Sequence, residues 1–291
     1  MPPRPVRSGR VPSRGFTLVE LTVSIVLLGI VALMATNFTT GAMQSYLDAE
    51  RRAELVDTTE TALRRLQRDL RLSLPNSVRV SSSGSAVYLE FLPVVAGGRY
   101  RAQRAGATPP GGCGIGLDDV LAIGTPDASF STIGPVGELD TLATAGGTHH
   151  VVVYNLGAGF TSADAYAGGN RSVLLNASTG ACESRVAFSQ TTFTLGSPSS
   201  RFHVVQDPVT YACDLASGRM LRYAGYPIAA VQPMPPAGTP ALVLENVSAC
   251  AITYDPNAIS QRIGVVSVAL VRTVAGESVR LYQDVRVDNA P

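Results

Sequence analysis

The sequence predicts an α+β protein in which one long N-terminal helix, apolar first and amphipathic afterwards, packs on an antiparallel β-rich domain. Three observations predict it. Phe16 to Phe38 is a 23-residue run whose only charge is Glu20. Gln44 to Leu74 contains neither Pro nor Gly and repeats apolar residues at helical spacing. Everything after Pro75 breaks into short β-branched and aromatic runs separated by Gly, Pro, Ser and Asn.

The first 14 residues carry Arg4, Arg7, Arg10 and Arg14 and no acid. A helix rising about 1.5 Å per residue makes the following apolar run roughly 34 Å long, enough for a hydrocarbon core of about 30 Å. The arginines precede the run, so positive-inside bias holds residues 1–15 in the cytoplasm and sends the rest outward. A secretory signal peptide has a shorter apolar stretch, about 7–15 residues, and a better site behind it than Thr40-Gly41-Ala42. A lipoprotein is excluded, because the first cysteine is Cys113. A plain signal anchor explains the length but leaves Glu20 unexplained. An acid within lipid costs a few kcal/mol unless paired, and so reads as functional.

The second half of the helix carries Val56, Thr59, Leu63, Leu66 and Leu70 as the stripe expected against a sheet. Asp48 with Arg52, Glu60 with Arg64, and Arg65 with Asp69 are i,i+4 pairs that support an exposed face. The Arg64, Arg65, Arg68 and Arg71 cluster interleaves with acids and reads as that solvated face. Pro75-Asn76 ends the helix, since the residue before Pro avoids the α region. The helix therefore spans 16–74, with 16–38 crossing the membrane.

Expected strands are 77–80, 86–92, 120–123, 150–154, 172–175, 192–195, 201–205, 210–213, 220–223, 241–247, 251–254, 263–272 and 278–287. The last two form the clearest hairpin, turning at Thr273 to Glu277 around Gly276. Segments 96–116, 124–148 and 232–240 read as Gly-, Pro- and Ala-rich connections, and no helical period follows Leu74.

Composition leans away from catalysis and from nucleic acid. Apolar residues make up 45% and charged residues 15%, so the chain builds a core. The 23 basic and 22 acidic residues leave a net charge of +1, against an ordinary nucleic-acid binder. Every basic residue is Arg, which excludes a Schiff-base or P-loop lysine. His149-His150 would point to opposite faces of a strand and cannot share a metal or a proton. Gly112-Cys113-Gly114-Ile115-Gly116 lacks the strand and helix of a phosphate loop, and Asp118-Asp119 is expected to open the next strand. Asp164 to Asn170 offers oxygens to calcium but lacks the further acids such a site wants. No catalytic residue, metal site or cofactor is assigned.

Cys113, Cys182, Cys213 and Cys250 lie on the exported side, where disulfides are the default. None is in CxxC spacing, so zinc is not expected. Of three connectivities, Cys113–Cys182 with Cys213–Cys250 is favoured, each bridge stapling a loop-rich half.

Arg14-Gly15-Phe16-Thr17-Leu18-Val19-Glu20 resembles the type IV prepilin cleavage and methylation motif. The resemblance implies a cut between Gly15 and Phe16 by a prepilin peptidase, and N-methylation of Phe16. The cut leaves the apolar helix in the mature chain. Glu20 then pairs with the terminal amine of a neighbouring subunit's Phe16, which staggers adjacent subunits by about one helical turn.

Further segments are similar to the O-type minor pilins of MSHA (mannose-sensitive haemagglutinin) pili. They are 52–57, 62–71, Leu74-Pro75-Asn76-Ser77-Val78-Arg79, 88–93, 97–101 and the terminal Val287-Asp288-Asn289-Ala290-Pro291. J-type pseudopilins of type II secretion are the nearest alternative, then a signal-anchored binding or adhesin domain. The resemblance implies a type IV pilin-like fold: leader 1–15, helix 16–74 and a periplasmic or extracellular domain 75–291. It also implies an inner-membrane stage and, as partners, the prepilin peptidase, the pilus assembly platform and other major and minor pilins. The apolar helix lacks the Pro that major type IV pilins usually place there, which favours a minor subunit.

Thiol titration of the denatured, unreduced protein should find essentially no free sulfhydryl. Four free thiols with stoichiometric metal would overturn the export assignment.

Overall fold

A computed structural model describes residues 15–104, 119–144, 148–260 and 262–291. Its first element is α1 (Leu18–Arg71), 54 residues long. Two compact units divide within this helix, between Ala53 and Glu54.

In the first unit the side chains of Leu18, Val19, Leu21, Val23, Ile25, Val26, Leu27 and Leu28 are all exposed, as lipid-facing residues must be. Hydroxyl side chains along this stretch bond back to the helix itself. Thr22 donates to the Val19 carbonyl (2.9 Å), Ser24 to Glu20 (2.7 Å), Thr39 to Ala35 (2.8 Å) and Thr40 to Thr36 (2.9 Å). Thr36 donates to the Ala32 carbonyl in the same way. Hydroxyls turned back on the previous turn leave no unmatched donor for the hydrocarbon.

In the second unit α1 buries Leu55, Thr59, Ala62, Leu63, Leu66 and Leu70. Val56, expected in this stripe, is only half-buried, and Leu55 takes the inward position one residue earlier. The helix also ends three residues before the expected Leu74. After Arg71 the backbone is captured by the segment around Pro93: Leu74 N–H donates to Leu92 O (2.7 Å) and Val94 N–H to Leu72 O (2.7 Å). Those long-range bonds take over before Pro75 acts.

The strands are β1 (Arg79–Ser83), β2 (Ala86–Phe91), β3 (Val94–Arg99), β4 (Asp127–Ser131), β5 (His150–Val153), β6 (Arg171–Thr179) and β7 (Ser184–Thr191). After them come β8 (Arg201–Val205), β9 (Val209–Asp214), β10 (Arg219–Ala224), β11 (Ala241–Leu244), β12 (Val247–Ser260), β13 (Ile263–Val274) and β14 (Glu277–Asp288). They form three antiparallel sheets, ordered β1-β2-β9-β10-β11, β12-β13-β14 and β3-β8-β5-β6-β7-β4. The α+β architecture is the one expected, with the sheet divided in three.

The buried stripe of α1 joins one apolar core with Leu89, Phe91, Tyr211 and Met220 of the five-stranded sheet and Ile252, Val266, Val268 and Val285 of the three-stranded sheet. A disulfide, Cys213–Cys250, ties β9 to β12 beside this core, with Cα atoms 6.4 Å apart. Cys113 lies outside the described residues, and no described cysteine is a free thiol. Asp69 fixes the helix to the five-stranded sheet. Its Oδ2 accepts from the Tyr211 hydroxyl (2.8 Å) and from Arg222 Nε (3.0 Å). The expected Arg65–Asp69 pair therefore gives way to a pair with the sheet. On the outer face Glu60 and Arg64 do pair at 2.7 Å, and Asp48 pairs with Arg51 at 3.3 Å, i,i+3.

The six-stranded sheet closes on itself. Beyond β3 and β4, Tyr100 bridges Thr132, Arg101 N–H donates to Ser131 O and Ile133 N–H to Arg99 O, both at 2.8 Å. Closure removes both open edges. Phe130, Phe188, Phe193, Phe202 and Tyr100 fill the interior with edge-on and tilted ring contacts. Sequence reading missed this barrel in part. β3 and β4 fall in segments expected to be loops, β7 was not expected, and α2 (Glu138–Thr144) supplies a second helix. Gly97-Gly98 hid β3, and the glycine has a reason to be there. A Cβ on Gly98 would sit 3.1 Å from the Phe202 ring and 3.2 Å from Val136, so the strand approaches the rings only without a side chain. The expected strands 120–123 and 192–195 reduce to one parallel bridge, Ile123 with Phe193.

The terminal hairpin has the expected turn. Ala275 and Gly276 occupy its two central positions with φ of 51° and 85°, the mirror-image geometry that suits strand twist.

Leu66 is fully buried, so Leu66→Ala should lower unfolding free energy by about 2–5 kcal/mol. Arg68→Ala, on the exposed face, should change it by less than about 0.5 kcal/mol. Chemical denaturation of the two variants checks the assignment of faces.

Candidate functional site

The sequence places the functional signal at the start of α1, and the structure shows how that start is built. Gly15 and Phe16 precede the helix, both exposed, and space around the Gly15 Cα is open. Thr17 is the cap. Its Oγ1 accepts from Glu20 N–H (3.2 Å) and its carbonyl from Leu21 N–H (3.1 Å). Thr17-Leu18-Val19-Glu20 thus has the Thr-x-x-Glu pattern of a capping box, with Glu20 in the first helical turn. An acid there also meets the positive end of the helix dipole. This local role of Thr17 was legible in the sequence and was overlooked beside the assembly reading of Glu20. Among the described residues no cation pairs with the Glu20 carboxylate.

Residues 10–36 match the prokaryotic N-terminal methylation motif. The methylation motif takes in the Gly15–Phe16 junction, Glu20 and most of the apolar run. It supports a type IV pilin-like protein, and the long apolar helix followed by antiparallel sheets is a pilin-like architecture. It points to a structural protein rather than an enzyme, and it implies processing by a prepilin peptidase and association with pilins. The apolar start of α1 fits a single-pass membrane anchor of such a protein. Comparison with curated proteins and with solved structures gives no match.

The other polar residues weighed in the sequence have structural partners. Asp164 Oδ1 accepts from Tyr166 N–H (2.9 Å), and its carbonyl accepts from Gly168 N–H (3.0 Å). Asn170 Nδ2 bonds Tyr154 O and Asn155 Oδ1, each at 3.3 Å. Among the described residues no three His, Cys, Asp or Glu side chains are grouped as metal ligands. Asp119 starts no strand. Its Oδ2 accepts from Ser129 (2.6 Å) and pairs with Arg185 (3.4 Å). Residues 112–116 and Asp118 lie outside the described residues.

Two polar clusters were not legible in the sequence, because their members are far apart in the chain. Glu90 is fully buried and paired with Arg79 Nε at 2.9 Å, with the Tyr226 hydroxyl 3.2 Å from its other oxygen. Burial raises its pKa, while Arg79 and then Tyr226 pull it back. Arg79 also stacks 3.7 Å over the Tyr166 ring and donates to the carbonyls of Ala229 and Ala230. In this way it fastens the Pro-rich connection to the sheet. In the second cluster Asn76 Nδ2 donates to Asn155 O (2.9 Å) and Asn289 O (3.1 Å), while Asn155 Nδ2 donates to Pro75 O (2.7 Å). The segment that leaves α1 and the C-terminal segment meet there.

His150 and His203 are both held neutral. His150 is 7% exposed and lies 3.3 Å from Arg171 Nη1. Its pKa is pushed down to about 4 by burial, then by Arg171 and His149. Burial and Arg201 push His203 down to about 4 as well, with Asp288 opposing. Unfolded imidazoles protonate near pH 6.5, so the unfolded chain binds protons first as pH falls, and folded stability drops between about 6.5 and 4. For His150 the full effect is of order 3 kcal/mol. Melting temperature should fall over that window, and His150→Gln with His203→Gln should flatten the fall. An unchanged pH dependence would show that neither imidazole is held neutral.

Proposed function

We propose that the chain is a minor pilin of an MSHA-type type IV pilus, similar to MSHA pilus biogenesis protein O, which helps initiate or cap filament assembly. The single observation that carries the reading is the methylation motif at the head of a helix that continues into a folded domain. The prepilin peptidase cuts between Gly15 and Phe16 and methylates Phe16. The mature subunit waits in the inner membrane, held by residues 16–38, and enters the filament with other pilins through the assembly platform. Its domain then lies in the periplasm or at the cell surface.

Glu20 is the assembly device in this reading. The helix leaves its carboxylate without a cation, and the new Phe16 amine of a neighbour supplies one. Thr17 holds the first turn so that the carboxylate is presented from a formed helix. A J-type pseudopilin of type II secretion is the second reading, favoured by the same motif and by the lack of Pro in the apolar run.

Glu20→Ala should be processed and inserted normally but be several-fold depleted from sheared filaments, because cleavage reads the Gly15–Phe16 junction and assembly reads the acid. Immunoblots of membrane and filament fractions check this. Wild-type incorporation would remove Glu20 from the mechanism. Co-purification with secretion pseudopilins in place of pilus subunits would favour the second reading.

A further inference from the structure

Among the described residues five arginines are partly buried, and four of them have oxygen partners. Arg79 meets Glu90, Arg101 meets Glu183 and Arg222 meets Asp69, while Arg272 donates to the Glu245 carbonyl and to Thr58 Oγ1. Arg171 is the exception. Its hydrogen-bond partner is an imidazole, with Nη1 standing 3.3 Å from His150 Nε2. No described carboxylate lies within ion-pair distance of it. Partly burying a cation without an anionic or oxygen partner is costly, so this guanidinium is a place where an oxyanion gains.

Two paired strands and a glycine turn build the corner. Arg171 opens β6 opposite Val152, two residues along β5 from His150, so both side chains stand on one face of the sheet. An arginine only donates, so His150 Nε2 accepts and the ring proton sits on Nδ1. Nη1 is thereby occupied, and the edge formed by Nε and Nη2 is left over. Arg171 Nε, His150 Nδ1 and Asn170 Oδ1 are all buried without a partner. Beside that edge runs Gly168, with φ of 90°. A Cβ there would meet Arg171 Nε at 3.8 Å and Nη2 at 3.9 Å and nothing closer. The missing side chain leaves room against two N–H groups that point the same way. Asp164 is the acid whose field reaches Arg171, but its Oδ1 is held in its own loop by the Tyr166 N–H (2.9 Å).

We infer that the Nε–Nη2 edge of Arg171 is a carboxylate site, open over Gly168, with His150 as the residue that positions the guanidinium. The two oxygens of a carboxylate match two parallel N–H donors, which a halide or a lone point charge does not. The carboxylate belongs to a free small acid or to an acidic side chain of another protein.

The test uses the full-length chain, labelled with nitrogen-15 and purified in carboxylate-free detergent and buffer. Sodium acetate should shift the Arg171 Nε–H and His150 ring resonances together and saturably, in the millimolar range. Sodium chloride at the same ionic strength should leave both in place. Arg171→Lys keeps the charge and loses the fork, so acetate affinity read from His150 should fall at least about five-fold. Gly168→Ala fills the space and should weaken acetate while the Arg171 signal remains. Melting curves check that each variant is folded, and Arg171→Lys keeps the test decisive if an alanine at that φ unfolds the turn. An equal response to chloride, or wild-type acetate affinity in a folded variant, would overturn the site. Inorganic phosphate binding more tightly than acetate would overturn carboxylate as the class. A blocked tripeptide with a central glutamate separates the two sources: binding at least as tight as acetate assigns a protein side chain, and acetate binding alone assigns a small acid.

Discussion

Leu66 and Leu70 are wholly removed from solvent in one core with the five-stranded and three-stranded sheets, and both sheets depend on that packing. The helix supplies the layer against which both bury their inner faces, and burying one such side chain contributes roughly 1.5–3 kcal/mol. The Cys213–Cys250 bridge and the Asp69 clamp fix what the apolar contacts bring together. Directionless burial sets the association, and these polar and covalent ties set its register.

One helix thus serves two environments. In its first part the apolar side chains face outward and each hydroxyl is returned to its own backbone, which is what a hydrocarbon solvent demands. In its second part a single stripe faces inward and the opposite face is charged.

The helix was the most legible part of the chain, since Phe16–Phe38 and the leucines of 63–70 each show a single unbroken pattern. Its ends were less so. Leu72–Leu74 continue the helical pattern, but pairing with Leu92 and Val94 lies some twenty residues away and leaves no local sign. Strands with β-branched alternation, such as Ile263–Val274, were legible for the same reason as the helix. Gly97-Gly98 read as a loop because glycine normally marks one, whereas here it makes room for Phe202. The motif residues Gly15, Phe16 and Glu20 were visible as a pattern. Asn76, Asn155 and Asn289 were not visible as a cluster, because only folding brings them together. The Arg64, Arg65, Arg68 and Arg71 face is exposed as expected, whereas no local pattern shows that Asp69 turns inward to Tyr211 and Arg222.

The central claim is that the leader is removed at the motif while the apolar helix stays in the mature subunit. Mass spectrometry of the N-terminal peptide, taken from membrane-extracted protein, tests it most directly. The account predicts a chain that starts at Phe16 and carries one added methyl group on the terminal amine. A chain that starts near Met43, with the apolar run removed, would contradict it.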